Sequence, residues 1–237
     1  MESAIAKYIK LALQPVAVLA AEEAPEGALQ NKEYTWNCVV TMLMAAARGR
    51  VCAFRKETAG CGGGAAGMGF QPYNVEKLKN YLSTDKEFYK QSPELAEIFL
   101  NKLVDLYQEK LRLAGNDPYV LFKPLSAVSE QEKPWLVIFL ANPDQLSGLV
   151  GLANYASAAS DTVRVLFAAG CTQAILYPLT DPEHCYIGLT DPSARKFVRK
   201  DLLSFAMSFG KFKELEGLAA ESFLKTETWE KIAARTV

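Results

Sequence analysis

Apolar and polar positions along this chain fall into short blocks that switch between strand-like runs and helix-like spacing. Met1 to Lys10 reads as a short amphipathic helix. Pro15-Val16-Ala17-Val18-Leu19 is a compact apolar run of strand length, and Pro25-Glu26-Gly27-Ala28-Leu29 after it reads as a turn. Cys38 to Ala47 is rich in helix formers, with Gly49 placed as a C-terminal stop. Val51-Cys52-Ala53-Phe54 then predicts a strand, followed by a glycine-rich segment opening at Cys61. From Val75 to Leu113 the pattern is helical, and Ser92-Pro93-Glu94 marks a fresh helix start inside it. Leu95, Ile98, Phe99, Leu103, Leu106 and Tyr107 supply its apolar face.

Beyond a turn at Gly115-Asn116-Asp117-Pro118 the chain returns to strands, at Tyr119 to Leu125 and Pro134 to Leu140. The second is apolar enough to be buried on both faces. Asn142-Pro143-Asp144 turns into a helix through Leu146, Leu149, Leu152 and Tyr155. Val163 to Phe167 predicts a strand, and Ala174 to Tyr177 with Cys185 to Leu189 predicts a strand pair across the turn Thr180 to Glu183. Asp191 as N-cap and Pro192 as first helical residue form a strong helix start. Leu203 to Phe209 alternates like a half-buried strand, and helices around Lys211–Leu218 and Thr228–Ala234 complete the chain. The fold class is therefore α/β or α+β, a mixed sheet flanked by helices. Proline, apolar strand, turn, helix, strand, Gly-Cys occurs twice, ending at Cys61 and at Cys171. Chance and true duplication stay equally open, so the chain is one domain or two βαβ-like lobes, about 1–115 and about 116–237. In the second case Cys61 and Cys171 occupy equivalent positions and face a shared pocket.

Composition narrows the function. At 237 residues the chain can bury a substantial core, and its net charge of −1 argues against a nucleic-acid partner. No run approaches the roughly 18–20 apolar residues that cross a membrane. The N-terminus lacks the basic start and apolar core of a secretion signal, so a cytoplasmic location is expected. Five cysteines without an export signal read as reduced thiols. A single histidine, His184, rules out a multi-histidine metal site within one chain.

Chemistry then rests on the thiols and glycines. Gly62-Gly63-Gly64-Ala65-Ala66-Gly67 spells G-x-G-x-x-G, but it does not follow its strand directly and lacks the acidic partner of a dinucleotide fold. The plainer reading is a tight loop needing positive φ; the sharper one is a backbone that approaches a ligand at Gly62, Gly63, Gly64 and Gly67. Cys38 stands at a helix start, where the dipole favours a thiolate. With Cys61 and Cys171 it offers three sulfurs from separate segments, enough for an iron–sulfur cluster with one open iron or for another soft metal. No C-x-x-C pair exists, and buried free cysteine is also a common small apolar filler. Cys52 lies inside a strand and reads as core. His184 beside Cys185, at a turn, is a candidate ligand or base whose plainer reading is a solvent-facing turn residue. Arg55-Lys56 and Arg195 are candidate anion contacts whose plainer reading is solvated surface charge. The partner expected is a small molecule or cofactor, with Cys61 acting as a reactive thiol, or a scaffold without chemistry, as the alternatives.

Trp36-Asn37-Cys38-Val39, Ala45-Ala46-Ala47-Arg48-Gly49, Glu57-Thr58-Ala59-Gly60-Cys61-Gly62-Gly63-Gly64 and Gly67-Met68-Gly69-Phe70 together resemble the uncharacterised ArCR family, domain of unknown function 169. Ala169-Gly170-Cys171, Asp191-Pro192-Ser193-Ala194-Arg195 and Glu221-Ser222-Phe223-Leu224 with Trp229 fit the same pattern. The resemblance covers nearly the whole chain and implies a soluble bacterial or archaeal protein with no established activity.

Overall fold

In the computed structural model, which describes residues 1–85, 89–114 and 118–236, a seven-stranded mixed sheet forms the frame. Its strands are β1 (Val16–Ala21), β2 (Cys52–Phe54), β3 (Tyr119–Pro124), β4 (Leu136–Ala141), β5 (Val163–Arg164), β6 (Cys185–Gly188) and β7 (Leu203–Ser208). They lie in the order β2-β3-β1-β4-β7-β6-β5. Every neighbouring pair is antiparallel except β5 with β6. The helices are α1 (Ala4–Tyr8), α2 (Val39–Ala47), α3 (Gly62–Gly67), α4 (Val75–Asn80), α5 (Pro93–Ala114), α6 (Pro143–Asn154), α7 (Tyr177–Thr180), α8 (Pro192–Arg195), α9 (Phe209–Ala219) and α10 (Glu227–Ala233). The fold is α/β.

The uninterrupted apolar run of β4 explains its central place. All six residues are buried, and alternate side chains feed two cores. Leu136, Ile138 and Leu140 face one side with Val16, Val18 and Phe122; Val137, Phe139 and Ala141 face the other with Ala17 and Phe205. Pairing of β1 with β4, Val16 opposite Ile138, carries the sheet across both halves of the chain. α2 packs on the first face and α6 on the second, so the two strand–helix–strand passages cover opposite sides. α6 starts where Asn142-Pro143 predicts: Gln145 N–H donates to Asn142 Oδ1 and Asn142 N–H to Gln145 Oε1, both at 2.9 Å. α5 and α3 enclose a third cluster with Tyr73, Leu100, Tyr177 and Tyr186, outside the first face.

Four expectations need correction. β5 ends at Arg164, and Val165, Leu166 and Phe167 run on as exposed chain without a strand partner. Ala174 to Tyr177 is no strand: a helix starts at Gly170, passes through a π-helical stretch at Thr172–Leu176 and ends as α7. A short, wholly buried apolar run has no period to separate strand from helix, which is why the pattern misled. β7 is buried on both faces rather than half-buried, because β4 and β6 flank it and both cores cover it. The face expected for α5 holds at Leu103 and Tyr107, which are buried, and at Phe99 and Leu106, which pack against the same cluster, whereas Leu95 and Ile98 are exposed and Ala96 and Leu100 are buried in their stead. The turn expected at Gly115-Asn116-Asp117 lies outside the described residues.

Helix packing leaves a direct test. At Gly148 in α6 a Cβ would lie 2.3 Å from Trp229 Cη2 of α10. Gly148→Ala is expected to lower stability by about 1–3 kcal/mol through overpacking, seen as a lower urea midpoint at unchanged slope. Gly217→Ala in α9, where nothing lies within 4 Å, is expected to raise stability by about 0.5–1 kcal/mol.

Candidate functional site

The site is built by three segments that cross on the first face of the sheet. After β2 a 3₁₀ turn at Lys56–Thr58 is closed by Arg55 N–H donating to Thr58 Oγ1 at 2.9 Å. Gly60 follows with φ +85°, and a Cβ there would lie 2.2 Å from the Asn37 carbonyl oxygen. Only glycine fits both the angle and the contact, so the backbone before Cys61 lies directly on the backbone before Cys38. Asn37 is itself held, its Nδ2 donating to Asn31 Oδ1 at 2.7 Å and its Oδ1 accepting from Cys38 N–H at 2.8 Å.

Cys38 and Cys61 then occupy equivalent local positions, as N-caps of α2 and α3. Cys61 Sγ accepts from Gly64 N–H at 3.2 Å. The glycine run expected as a positive-φ loop is helix α3, and positive φ falls on the flanking Gly60 and Gly69 instead. Inside the helix the missing side chains serve close approach. A Cβ at Gly64 would meet Val39 Cγ2 at 2.5 Å, and one at Gly67 would meet Cys171 Sγ at 3.0 Å. Cys171 Sγ donates to the Gly63 carbonyl at 3.3 Å. Gly62 is exposed and Gly63 half-buried, so the group opens to the surface along Cys38, Cys61 and Gly62 while Cys171 lies buried beneath.

Burial governs the thiols. It pushes Cys38 and Cys61 above their ordinary pKa and Cys171 well above it. The N–H groups of Val40 and Thr41 at Cys38, and of Gly64 and Gly63 at Cys61, oppose this without overcoming it. The thiolate expected at Cys38 from the helix dipole is therefore a thiol: desolvation outweighs the helix start. Cys171 feels Cys61 and Cys38, and all three feel Asp191. Asp191 caps α8 as its Asp-Pro start predicts, with Ser193 N–H donating to Oδ1 at 3.0 Å. Its Oδ2 also accepts from Gly170 N–H at 3.2 Å, at the start of the helix that carries Cys171. Thr172, next along, shares a 2.7 Å hydrogen bond with Tyr73 hydroxyl. Asp191, Tyr73 and Thr172 belong to the site's surroundings, and apart from the Asp-Pro cap nothing local in the sequence marks them.

The remaining candidates lie apart. Cys52 is buried in β2 with its pKa pushed to about 11, and Cys185 is buried in the second core with its pKa pushed to about 12. His184 Nδ1 pairs with Asp181 Oδ1 at 2.9 Å, in a cluster that Arg164 and Tyr186 complete. Arg195 is no open anion contact: its guanidinium donates to the carbonyls of Leu189, Leu202, Arg199 and Lys200. Arg55 pairs with Glu33. Surface hollows of about 580 and 400 Å³ lie elsewhere, one beside Lys7 and Glu216, the other beside Gln131 and Trp135. Among the described residues no three His, Cys, Asp or Glu side chains stand ready to hold a metal ion. No helix among them is long and apolar enough to cross a membrane.

A family model described as uncharacterised ArCR, domain of unknown function 169, matches residues 4–217, and the chain belongs to that family. Neither a curated protein nor a solved structure matches it.

The raised thiols fix a pH dependence. Only the thiolate is nucleophilic, so iodoacetamide is expected to modify Cys38 and Cys61 slowly at neutral pH and faster as pH rises past the ordinary thiol value of 9.0. A folded pKa above the unfolded one stabilises fully below the unfolded value and loses that contribution as pH rises through the folded value. Alkaline conditions above pH 9.0 are therefore expected to lower the melting temperature progressively. Peptide mass spectrometry across pH, beside thermal melts, checks both. Rapid modification at neutral pH would contradict the burial-dominated assignment.

Proposed function

We propose that the chain binds a small cofactor at Cys38, Cys61 and Cys171, and that the sulfurs hold it directly as a soft metal ion or an iron–sulfur cluster. The observation that carries this reading is the approach of Cys38, Cys61 and Cys171 from three distant segments, through Gly60 against Asn37, Gly64 against Val39 and the Gly63 carbonyl accepting from Cys171 Sγ. A thiol site meant for nucleophilic attack needs a base or a positive neighbour to form its thiolate. Here Cys61 and Asp191 disfavour ionisation of Cys38, and Cys38, Cys61 and Asp191 disfavour that of Cys171; a soft cation would take the place of the thiol protons, which would pass to solvent. Thiolate donors suit iron–sulfur clusters and soft ions by their polarisability. Backbone N–H groups at Gly63 and Gly64 act on the Cys61 sulfur, as hydrogen-bond donors tune thiolate ligands. The side chains do not stand in a coordinating arrangement, so holding such an occupant would need Cys38, Cys61 and Cys171 to move closer together. When bound, such a group supplies Lewis acidity or electron transfer, and the chain's residues hold it and limit access to the side at Cys38, Cys61 and Gly62.

A reactive thiol at Cys61 is the second reading. Its partial exposure and its N–H contact from Gly64 favour it, while the one histidine is engaged with Asp181.

Protein purified without oxygen is expected to carry iron, with sulfide for a cluster, or zinc, in proportion to protein. Cys38→Ala, Cys61→Ala and Cys171→Ala are each expected to cut metal content or affinity by at least about tenfold, while Cys185→Ala leaves it unchanged. Metal-free protein, or metal content indifferent to the first three changes, would sink the proposal.

A further inference from the structure

We infer that residues 165–169 form a strap over the helical turn that carries Cys171, and that Lys90, set between two aromatic rings, is the latch that keeps the strap shut. The inference goes beyond the cofactor reading: it concerns access to the buried thiol of the group and holds whatever that group binds. β5 ends at Arg164, and no strand ladder holds Val165, Leu166 and Phe167. Their fastenings are side chains. Gln173 Nε2 donates to the Leu166 carbonyl at 2.7 Å, and Tyr177 hydroxyl to the Phe167 carbonyl at 3.2 Å. The Phe167 ring, on a residue 41% exposed, lies 5.4 Å from the ring of Phe99 in α5 and 5.9 Å edge-on from that of Tyr89. Lys90 Nζ stands 4.5 Å from the Phe99 centroid and 4.7 Å from the Phe167 centroid. One ammonium therefore ties the strap to α5.

Strap and thiol move as one piece. Past the buried Ala168, the Ala169 carbonyl accepts the first bond of the helix, from Gln173 N–H at 3.0 Å. Cys171 lies inside that turn, buried, with Sγ donating to the Gly63 carbonyl at 3.3 Å. Lifting the strap carries the Ala169 carbonyl away, breaks the Leu166–Gln173 bond, frees Gly170 N–H from Asp191 and unwinds the turn that buries Cys171. A cation–π pair at the surface and single side-chain hydrogen bonds are each weak, so such a segment opens at lower cost than a sheet does. Cys185 gives the contrast: it is buried in β6 within the second core, and its exposure takes disruption of the sheet. The charge at Lys90 is thereby a control on Cys171 from outside the thiol group. Removing it loosens Phe167 and raises the population of the open form.

Exposure is read by alkylating the full chain with iodoacetamide in the presence of a chelator, each cysteine followed by peptide mass spectrometry and scaled to its rate in the urea-unfolded chain. In the native protein Cys171 is expected to react roughly tenfold faster than Cys185. Its rate is also expected to rise less steeply with low urea, because lifting the strap exposes less surface than opening the sheet. Lys90→Met, which keeps the stem and drops the charge, is expected to raise the Cys171 rate about two- to fivefold at an unchanged Cys185 rate. Lys90→Arg should keep the native rate, and Phe167→Ala should exceed Lys90→Met. A scaled Cys171 rate no faster than that of Cys185 in the native protein overturns the inference even where no variant folds. So does a Cys171 rate that Lys90→Met leaves unchanged or moves in parallel with Cys185. Failure to bind any metal would instead sink the cofactor reading, because the chelated chain reports the strap alone.

Discussion

The close approach of backbone at Gly60, Gly64 and Gly67 is the contact on which the rest of the site depends. At each of these positions the space a Cβ would fill is occupied, by the Asn37 carbonyl, by Val39 and by the Cys171 sulfur in turn. Helices bearing ordinary side chains stand well apart, at roughly 8–10 Å between axes. Without side chains, α3 lies deep enough for its first turn to touch the start of α2 and for its inner face to rest on the helix that begins at Gly170. The glycines weaken α3 as a helix, since each costs backbone entropy. Tertiary contact therefore holds this helix in place, and the same contact brings Cys38, Cys61 and Cys171 together.

Bringing thiols under cover has an electrostatic consequence that opposes local structure. Cys38 and Cys61 cap helices, where exposed N–H groups stabilise negative charge. Desolvation and mutual repulsion are larger, and all three thiols are held protonated. The arrangement resembles neither an inert core cysteine, such as Cys52 against the Met42 carbonyl, nor a thiol activated by an adjacent base. It is a group of protonated thiols beside a buried carboxylate, with Cys38 and Cys61 partly exposed and Cys171 buried.

The sheet sets the frame for that meeting. β1 and β4, joined antiparallel at its centre, bury both faces, so α2 and α3 with the 170–180 helix share the first side while α6, α9 and α10 fill the second. Cys171 falls on the first side and Cys185 on the second. Fourteen positions in sequence separate them, yet only one can take part.

Much of the fold was legible from short-range pattern. Asn142-Pro143 and Asp191-Pro192 start helices where they stand, the β4 run is buried on both faces, and Cys38 to Ala47 is a helix stopped before Gly49. These features depend on a residue and its neighbours within a turn, through hydrogen-bond caps, fixed φ and side-chain period. The sulfurs of Cys38, Cys61 and Cys171 were legible as candidates by type and by adjacent glycine, but their protonation was not. The glycine run and the helix at Ala174 to Tyr177 were misread because a small or wholly apolar stretch carries no period of its own. What the sequence alone determined was most of the elements and the chemical inventory, five thiols and one lone histidine. Which thiols meet, how dry they are, and that the Asp191 carboxylate lies among them were decided only by tertiary packing, because desolvation and Coulomb repulsion depend on distances between residues that the chain order leaves free.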